Sequence, residues 1–353
     1  MDEVSNKELD EEKQELSPNY YSLDFYQKRK KSKFKLTFAP STYFCVADTH
    51  CHIEMFDKPE WTFVRAAFHN IGFLACVIDS LNDGPDGISK VDDAYKKAQE
   101  LIPNILKQLD FSNSAANEPI IIKLGDSPEL CLDRNSICKN PKLPDYRYII
   151  GTHPHYAKDF DVSQEQKLIE MLKNPKACCV GEIGLDYHYD FSPRKDQVNA
   201  FKRQLQIADE LGFPVALHLR EAHKEALEIF DELGFSKHGT LLHCFNLGEN
   251  DLKPWVDAGC YIAIGGPVTF KKSDYIRDAI HLIPNNKLLT ETDAPFMTPE
   301  PLRGDDCFPD HVIFTADVLA DVTGNSQNKQ MFYNSMYENA QKLLNRDLLP
   351  HQK

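Results

Sequence analysis

The chain has no run of about 18 apolar residues, so none of it reads as a membrane-spanning helix. Its opening stretch, "MDEVSNKELDEEKQEL", holds no apolar segment of signal-peptide type. The ten cysteines include no C-x-x-C, and Cys45, Cys51, Cys76, Cys178, Cys179, Cys244 and Cys260 lie in apolar, strand-like runs. That usage fits reduced, buried thiols in the cytoplasm or nucleus rather than a disulfide framework. There is no internal repeat and no G-x-G-x-x-G, so Gly265–Gly266 reads as a close backbone turn rather than a phosphate cradle. Positive charge is also short. With 40 Lys and Arg against 54 Asp and Glu, the net charge is −14, which argues against a broad basic face that grips nucleic acid. It leaves room for an enzyme that holds phosphates through metal ions.

What is present suffices for a large core: 353 residues, 42% of them hydrophobic and 27% charged. The first forty residues stand apart. They are acidic from Asp2 through Asp24, and then "KRKKSKFK" (28–35) carries six positive charges. Residues 1–42 are expected to form a charged, disordered arm, whose basic cluster is read as solvated rather than as a nuclear-import signal or nucleic-acid contact. On that reading, removing residues 1–38 leaves stability and activity nearly unchanged.

From about residue 43 to 349 short apolar runs alternate with helical patterns. The expected strands are 43–48, 72–79, 146–153, 177–184, 214–220, 239–245, 260–266 and 287–293. "QVNAFKRQLQIADELG" (197–212) shows helical spacing and ends at Gly212. Eight strands, most followed by a helix, predict an α/β fold of (β/α)8 TIM barrel type. Residues 111–145 are too long for an ordinary connection and are expected to be a loop insertion.

Chemistry-bearing residues then fall at strand ends. "VADTHCHIEM" (46–55) places Asp48, His50, His52 and Glu54 at alternate positions, hence on one face of a strand. His153 and His155 follow strand three, Glu182 lies in strand four, His218 ends strand five, His243 strand six and Asp293 strand eight. In a barrel these ends converge on one face, where active sites lie. Imidazoles and carboxylates suit zinc, manganese, iron or, with more oxygen, magnesium. A carboxylate such as Glu182 can bridge two ions, and two ions about 3.5–4 Å apart stabilise both oxygens of a phosphodiester displacement. Cys51 and Cys244 are expected to point away from the site into packing, Asp186 to shape a loop or support a ligand, and His188, His223, His281 and His311 to lie at the surface.

The blocks "DTHCH", "GTHPH", "GEIGLDY", "PVALHLREA", "LLHCF", "GCYIAIGGPVTFKK" and "IPNNKLLTETDAPFMTP" resemble the TatD family of metal-dependent deoxyribonucleases, within the amidohydrolase-type barrels. The resemblance spans about residues 44 to 347. It implies a metallo-dependent hydrolase barrel with two divalent ions per chain (magnesium, manganese or zinc) and no small organic cofactor. It also implies hydrolysis of DNA phosphodiester bonds, as a 3′-5′ exodeoxyribonuclease. Carried over residue by residue, His50, His52, Glu182, His218, His243 and Asp293 match the metal ligands, and Glu182 and Asp293 the catalytic carboxylates. Asp293 would position or deprotonate the attacking water. His155 and Arg220 match positions that touch substrate phosphate. Two departures stand out: Glu54 replaces an Asp, and "DDCFPDHV" (305–312) replaces a basic–polar strip. The alternatives are a same-fold hydrolase of a small ester, amide or phosphodiester, and a non-catalytic scaffold.

Overall fold

The computed structural model describes residues 22–30, 33–108, 120–122, 130–132, 138 and 140–353. Two short strands, β1 (Phe25–Arg29) and β2 (Lys33–Thr37), pair antiparallel ahead of the barrel. Then come β3 (Val46–Cys51), α1 (Glu60–Phe68), β4 (Ile71–Asp79) and α2 (Gly84–Gln108). Within 111–145 the described residues form a small antiparallel pair, β5 (Ile120–Ile122) with β6 (Leu130–Leu132); most of that expected insertion lies outside the described residues. The chain continues through β7 (Asp145–Gly151), α3 (Val162–Met171), β8 (Ala177–Asp186) and α4 (Arg194–Leu211). Next are β9 (Val215–Arg220), α5 (His223–Leu233), β10 (Thr240–Leu242), α6 (Glu249–Asp257), β11 (Tyr261–Ile264) and α7 (Asp274–Ala279). The last elements are β12 (Leu288–Thr290), α8 (Val312–Val322) and α9 (Lys329–Leu344).

The eight strands β3, β4, β7, β8, β9, β10, β11 and β12 form one sheet in that order, each parallel to its neighbours. Parallel strands packed on both faces read as apolar runs, which is why the sequence pattern found all eight. The sheet curls until its ends meet. The Thr290 hydroxyl donates to the Ala47 carbonyl at 2.7 Å, and the His52 N–H donates to the Ala294 carbonyl at 2.7 Å. At least one residue from every strand (Ala47, Phe73, Ile149, Cys179, Ala216, Leu241, Ala263 and Leu289) joins a separate buried cluster with Leu343 and Leu344 of α9. Those eight fill the barrel interior, α9 closes one end, and the carboxyl ends of the strands open at the other.

The arm departs from expectation. Residues 1–21 lie outside the described residues, but from Ser22 the chain folds against the barrel, with Leu23 and Phe25 buried. The ring of Phe25 stands 5.1 Å from Phe314 and 4.5 Å from His69. Buried Arg65 of α1 donates to the Ser22 carbonyl and pairs with Asp310 at 2.8 Å. Two apolar residues inside a charged run are enough to anchor it. The same contacts account for the acidic–apolar stretch at 305–312: Cys307, Phe308, Asp310 and His311 are all buried. His311, expected at the surface, belongs to this packed group, and His223 is half-buried near Trp255.

Several strand boundaries shift, the third, seventh and eighth strands also ending before their expected bounds, and two of the shifts bear on the site. The first strand runs 46–51 instead of 43–48 because the carboxylate of Asp48 is satisfied inside the sheet by the N–H groups of His50 at 3.2 Å and Thr292 at 2.9 Å. The sixth stops at Leu242, before His243.

Candidate metal centre

β8 supplies the centre of the site. Glu182 is 5% exposed and offers its two oxygens to different neighbours. Oε2 lies 3.3 Å from Nε2 of His50 and 3.9 Å from Nε2 of His52. Oε1 lies 2.6 Å from Nδ1 of His218, 2.8 Å from Nε2 of His243 and 3.8 Å from Nε2 of His153. Asp293 closes the first side, its Oδ1 3.6 Å from His52 and 3.8 Å from His50. All six residues expected as ligands therefore meet in one cluster. Gly184 permits part of this: at φ 147° it lets β8 approach β9 so closely that a Cβ would collide with the His218 carbonyl.

Burial alone would raise the carboxyl of Glu182, yet the imidazoles of His243, His50, His218 and His153 hold it well below the usual carboxylate range. Asp293 is likewise held low, against burial, by His52, His243 and His50. Both carboxylates stay ionised at neutral pH, as cation ligands must. His50 is fully buried, and among the described residues neither of its ring nitrogens completes a hydrogen bond, Nε2 only approaching Glu182 at 3.3 Å. An orphaned buried donor or acceptor costs about 1–3 kcal/mol. A cation beside Glu182 and Asp293 would satisfy it, so the residues fit divalent ions. Groups of three that fit one ion are, among the described residues, His50, His52 and Glu182; His50, His243 and Asp293; His153, Glu182 and His218; and His243, Cys244 and Glu291.

Surrounding groups orient the cluster. Glu54, 8% exposed, keeps Oε1 3.5 Å from Nδ1 of His52. Asp186 reaches Nε2 of both His218 at 3.2 Å and His155 at 2.9 Å through one oxygen. Burial would raise Asp186, but hydrogen bonds from His218, the Tyr189 N–H and His155 hold it well below its ordinary value. His155 thus stands one carboxylate away from the cluster, and Arg220 lies beside it with its guanidinium 4.7 Å over the ring of Tyr189.

Three participants escaped sequence reasoning. The resemblance singles out His155, yet His153 is the member of that pair that faces Glu182. Glu291, of the same parity as Asp293, is fully buried, 3.6 Å from Nδ1 of His243. Cys244 was expected to point away, but the strand ends at Leu242 and Cys244 turns into the left-handed region (φ 48°). Alternation no longer applies there, and its sulfur comes within reach of His243 and Glu291. Cys51, still within β3, is buried and donates to the Ala75 carbonyl at 3.5 Å.

A model of the TatD related DNase family matches residues 47–345. The metal-dependent hydrolase YabD of Bacillus subtilis, itself uncharacterized, is 33% identical over 232 residues, covering 65% of this chain and 89% of that protein. The 3′-5′ ssDNA/RNA exonuclease TatD of Salmonella typhimurium is 38% identical over 153 residues, 43% of this chain; the match spans only 59% of that relative. Among solved structures, YjjV, a TatD homologue from Escherichia coli, superposes with a TM-score of 0.63 at 20% identity, covering 85% of this chain and 98% of the other. A TatD family hydrolase from Entamoeba histolytica gives 0.64 at 15% identity, covering 86% and 99%. Those two likenesses speak to the fold. The chain therefore belongs to the TatD related DNase family, and it is a metal-dependent hydrolase.

Proposed function

We propose that the chain is a nuclease that removes nucleotides from DNA in the 3′-5′ direction. The observation that carries this reading is the split of Glu182, one oxygen toward His50 and His52 and the other toward His218 and His243. That division suits two divalent ions, His50, His52, Glu182 and Asp293 holding one and Glu182, His218 and His243 the other. Magnesium, manganese or zinc bound there would polarise water and offset charge on the attacking and leaving oxygens.

The chain's own groups do the rest. Asp293, ionised at the mouth of β12, orients the attacking water and accepts its proton. Arg220 makes no ion pair among the described residues, so its planar donors are available to a phosphate. His155, held by Asp186, faces the same region. The relatives named as exonucleases support the substrate class. No described helix is long and apolar enough to cross a membrane, and the described cysteines are free thiols. Those thiols favour the cytoplasm, or the nucleus, as the working compartment.

The test is digestion of 5′-labelled single-stranded DNA by protein stripped with chelator and reloaded with magnesium, manganese or zinc. A ladder shortening from the 3′ end, present only after reloading, is the expected result. Turnover of small esters or amides with intact DNA would instead favour the small-substrate hydrolase.

A further inference from the structure

Beside the cluster stands a pair of rings that neither the barrel core nor the metal centre uses. Tyr189 is 49% exposed and Phe191 58%. They stack on each other at 5.3 Å with planes 6° apart. Phe191 meets the ring of His155 at 4.8 Å, while Arg220 covers Tyr189 at 4.7 Å. A continuous wall thus runs from Glu182 through His218, Asp186 and His155 to two exposed aromatic faces.

The loop that carries them is fixed. Asp186 Oδ1 accepts from the N–H groups of His188 and Tyr189, both at 3.0 Å. The buried amide of Gln197 donates to the Ser192 carbonyl at 2.8 Å and accepts from the Asp186 N–H at 2.8 Å. The Ser192 hydroxyl donates to the His155 carbonyl at 2.7 Å. A solvated loop gains nothing from holding two large rings rigidly in water, so this arrangement points to a flat ligand.

We infer that Tyr189 and Phe191 form a stacking platform for an unpaired base of the substrate strand, next to the phosphate that Arg220 and His155 contact. This rests on the nuclease reading above. Charge favours it: a protein of net charge −14 gains little from a broad electrostatic grip on phosphates, so affinity has to come from local contacts. Base–aromatic stacking is such a contact, indifferent to sequence and available only to unpaired bases.

The experiment compares metal-loaded enzyme on a single-stranded oligodeoxynucleotide and on one of equal length whose 3′-terminal nucleotides are abasic. The wild type should prefer the normal strand by about tenfold or more in kcat/KM, the order of one base–aromatic stack. The Tyr189→Ala/Phe191→Ala variant should bring that ratio close to one, with the change in KM, whereas Phe191→Trp should keep it. Both positions are exposed, so melting temperature should hold. A wild type that cuts both strands equally well, or a double variant that keeps the tenfold preference, overturns the platform and leaves the nuclease reading standing. A wild type that cuts neither overturns both.

Discussion

Asp293 and His50 are joined through the backbone as well as the side chain: the Asp293 N–H donates to the His50 carbonyl at 2.9 Å, and Oδ1 lies 3.8 Å from the imidazole. The seam that closes the barrel is therefore also the seam that assembles the site. Asp293 sits in the left-handed region (φ 59°), which costs an ordinary residue of order 1 kcal/mol or more and which Asn tolerates as well as Asp.

Asp293→Asn should for that reason keep the backbone and remove only the charge and the proton acceptor. Turnover on DNA is expected to fall on the order of 10²–10⁴-fold, with melting temperature nearly unchanged. Both are read on one preparation. A destabilised but active variant would make Asp293 a loop residue.

Asp186 stands behind His218 and His155 and fixes both rings. Asp186→Asn should weaken metal affinity about 10–100-fold, the usual loss when a residue orienting a ligand is changed. His155→Ala, which leaves the cluster itself intact, should spare metal affinity and raise KM for DNA. Equal metal loss in both variants would contradict this division, and a metal titration monitored by calorimetry distinguishes the outcomes.

Phe25 is 1% exposed between Phe314 and His69. Phe25→Ala should destabilise the fold by about 3–5 kcal/mol, and deletion of residues 1–38 should lower the melting temperature too. An unchanged melting temperature for both proteins would restore the unanchored arm.

Asp310 links acid stability to this region. Burial would raise its carboxyl, but Arg65 and His69 hold it well below the ordinary value. Its folded-state pKa is depressed, so its stabilisation is fully present above the unfolded-state value near 4 and fades as pH falls below it. Asp310→Asn should cost about 3–5 kcal/mol at pH 7 by removing the carboxylate that faces the buried guanidinium of Arg65. The gap from wild type should narrow by pH 3, as read from urea midpoints. A gap constant from pH 7 to pH 3 would show that Asp310 does not carry it.

The fold was legible because each barrel strand buries both faces and so announces itself as an apolar run, and His50, His218 and His243 stood out at the ends of such runs. What failed to show has local causes. Leu23 and Phe25 anchor the hairpin, but their signal is drowned by the charges around them. Cys244 is hidden because strand alternation does not extend two residues past the end of β10. Glu291 and His153 each lie two residues from an expected site residue; the backbone aims His153 rather than His155 at Glu182, and brings Glu291 to His243 as well as Asp293 to His50 and His52. The split of Glu182 between two imidazole groups is a matter of distances that no spacing encodes.

The most direct test is Glu182→Gln, with bound metal and DNA cleavage measured on the same sample. Gln keeps the size and hydrogen-bonding shape but removes the charge on which both halves of the cluster converge. The expected result is a folded protein that retains far less divalent metal than wild type after reloading and cuts DNA on the order of 10²-fold more slowly or worse. A Glu182→Gln protein that binds metal and cuts DNA at wild-type levels would contradict a hydrolytic centre built on Glu182.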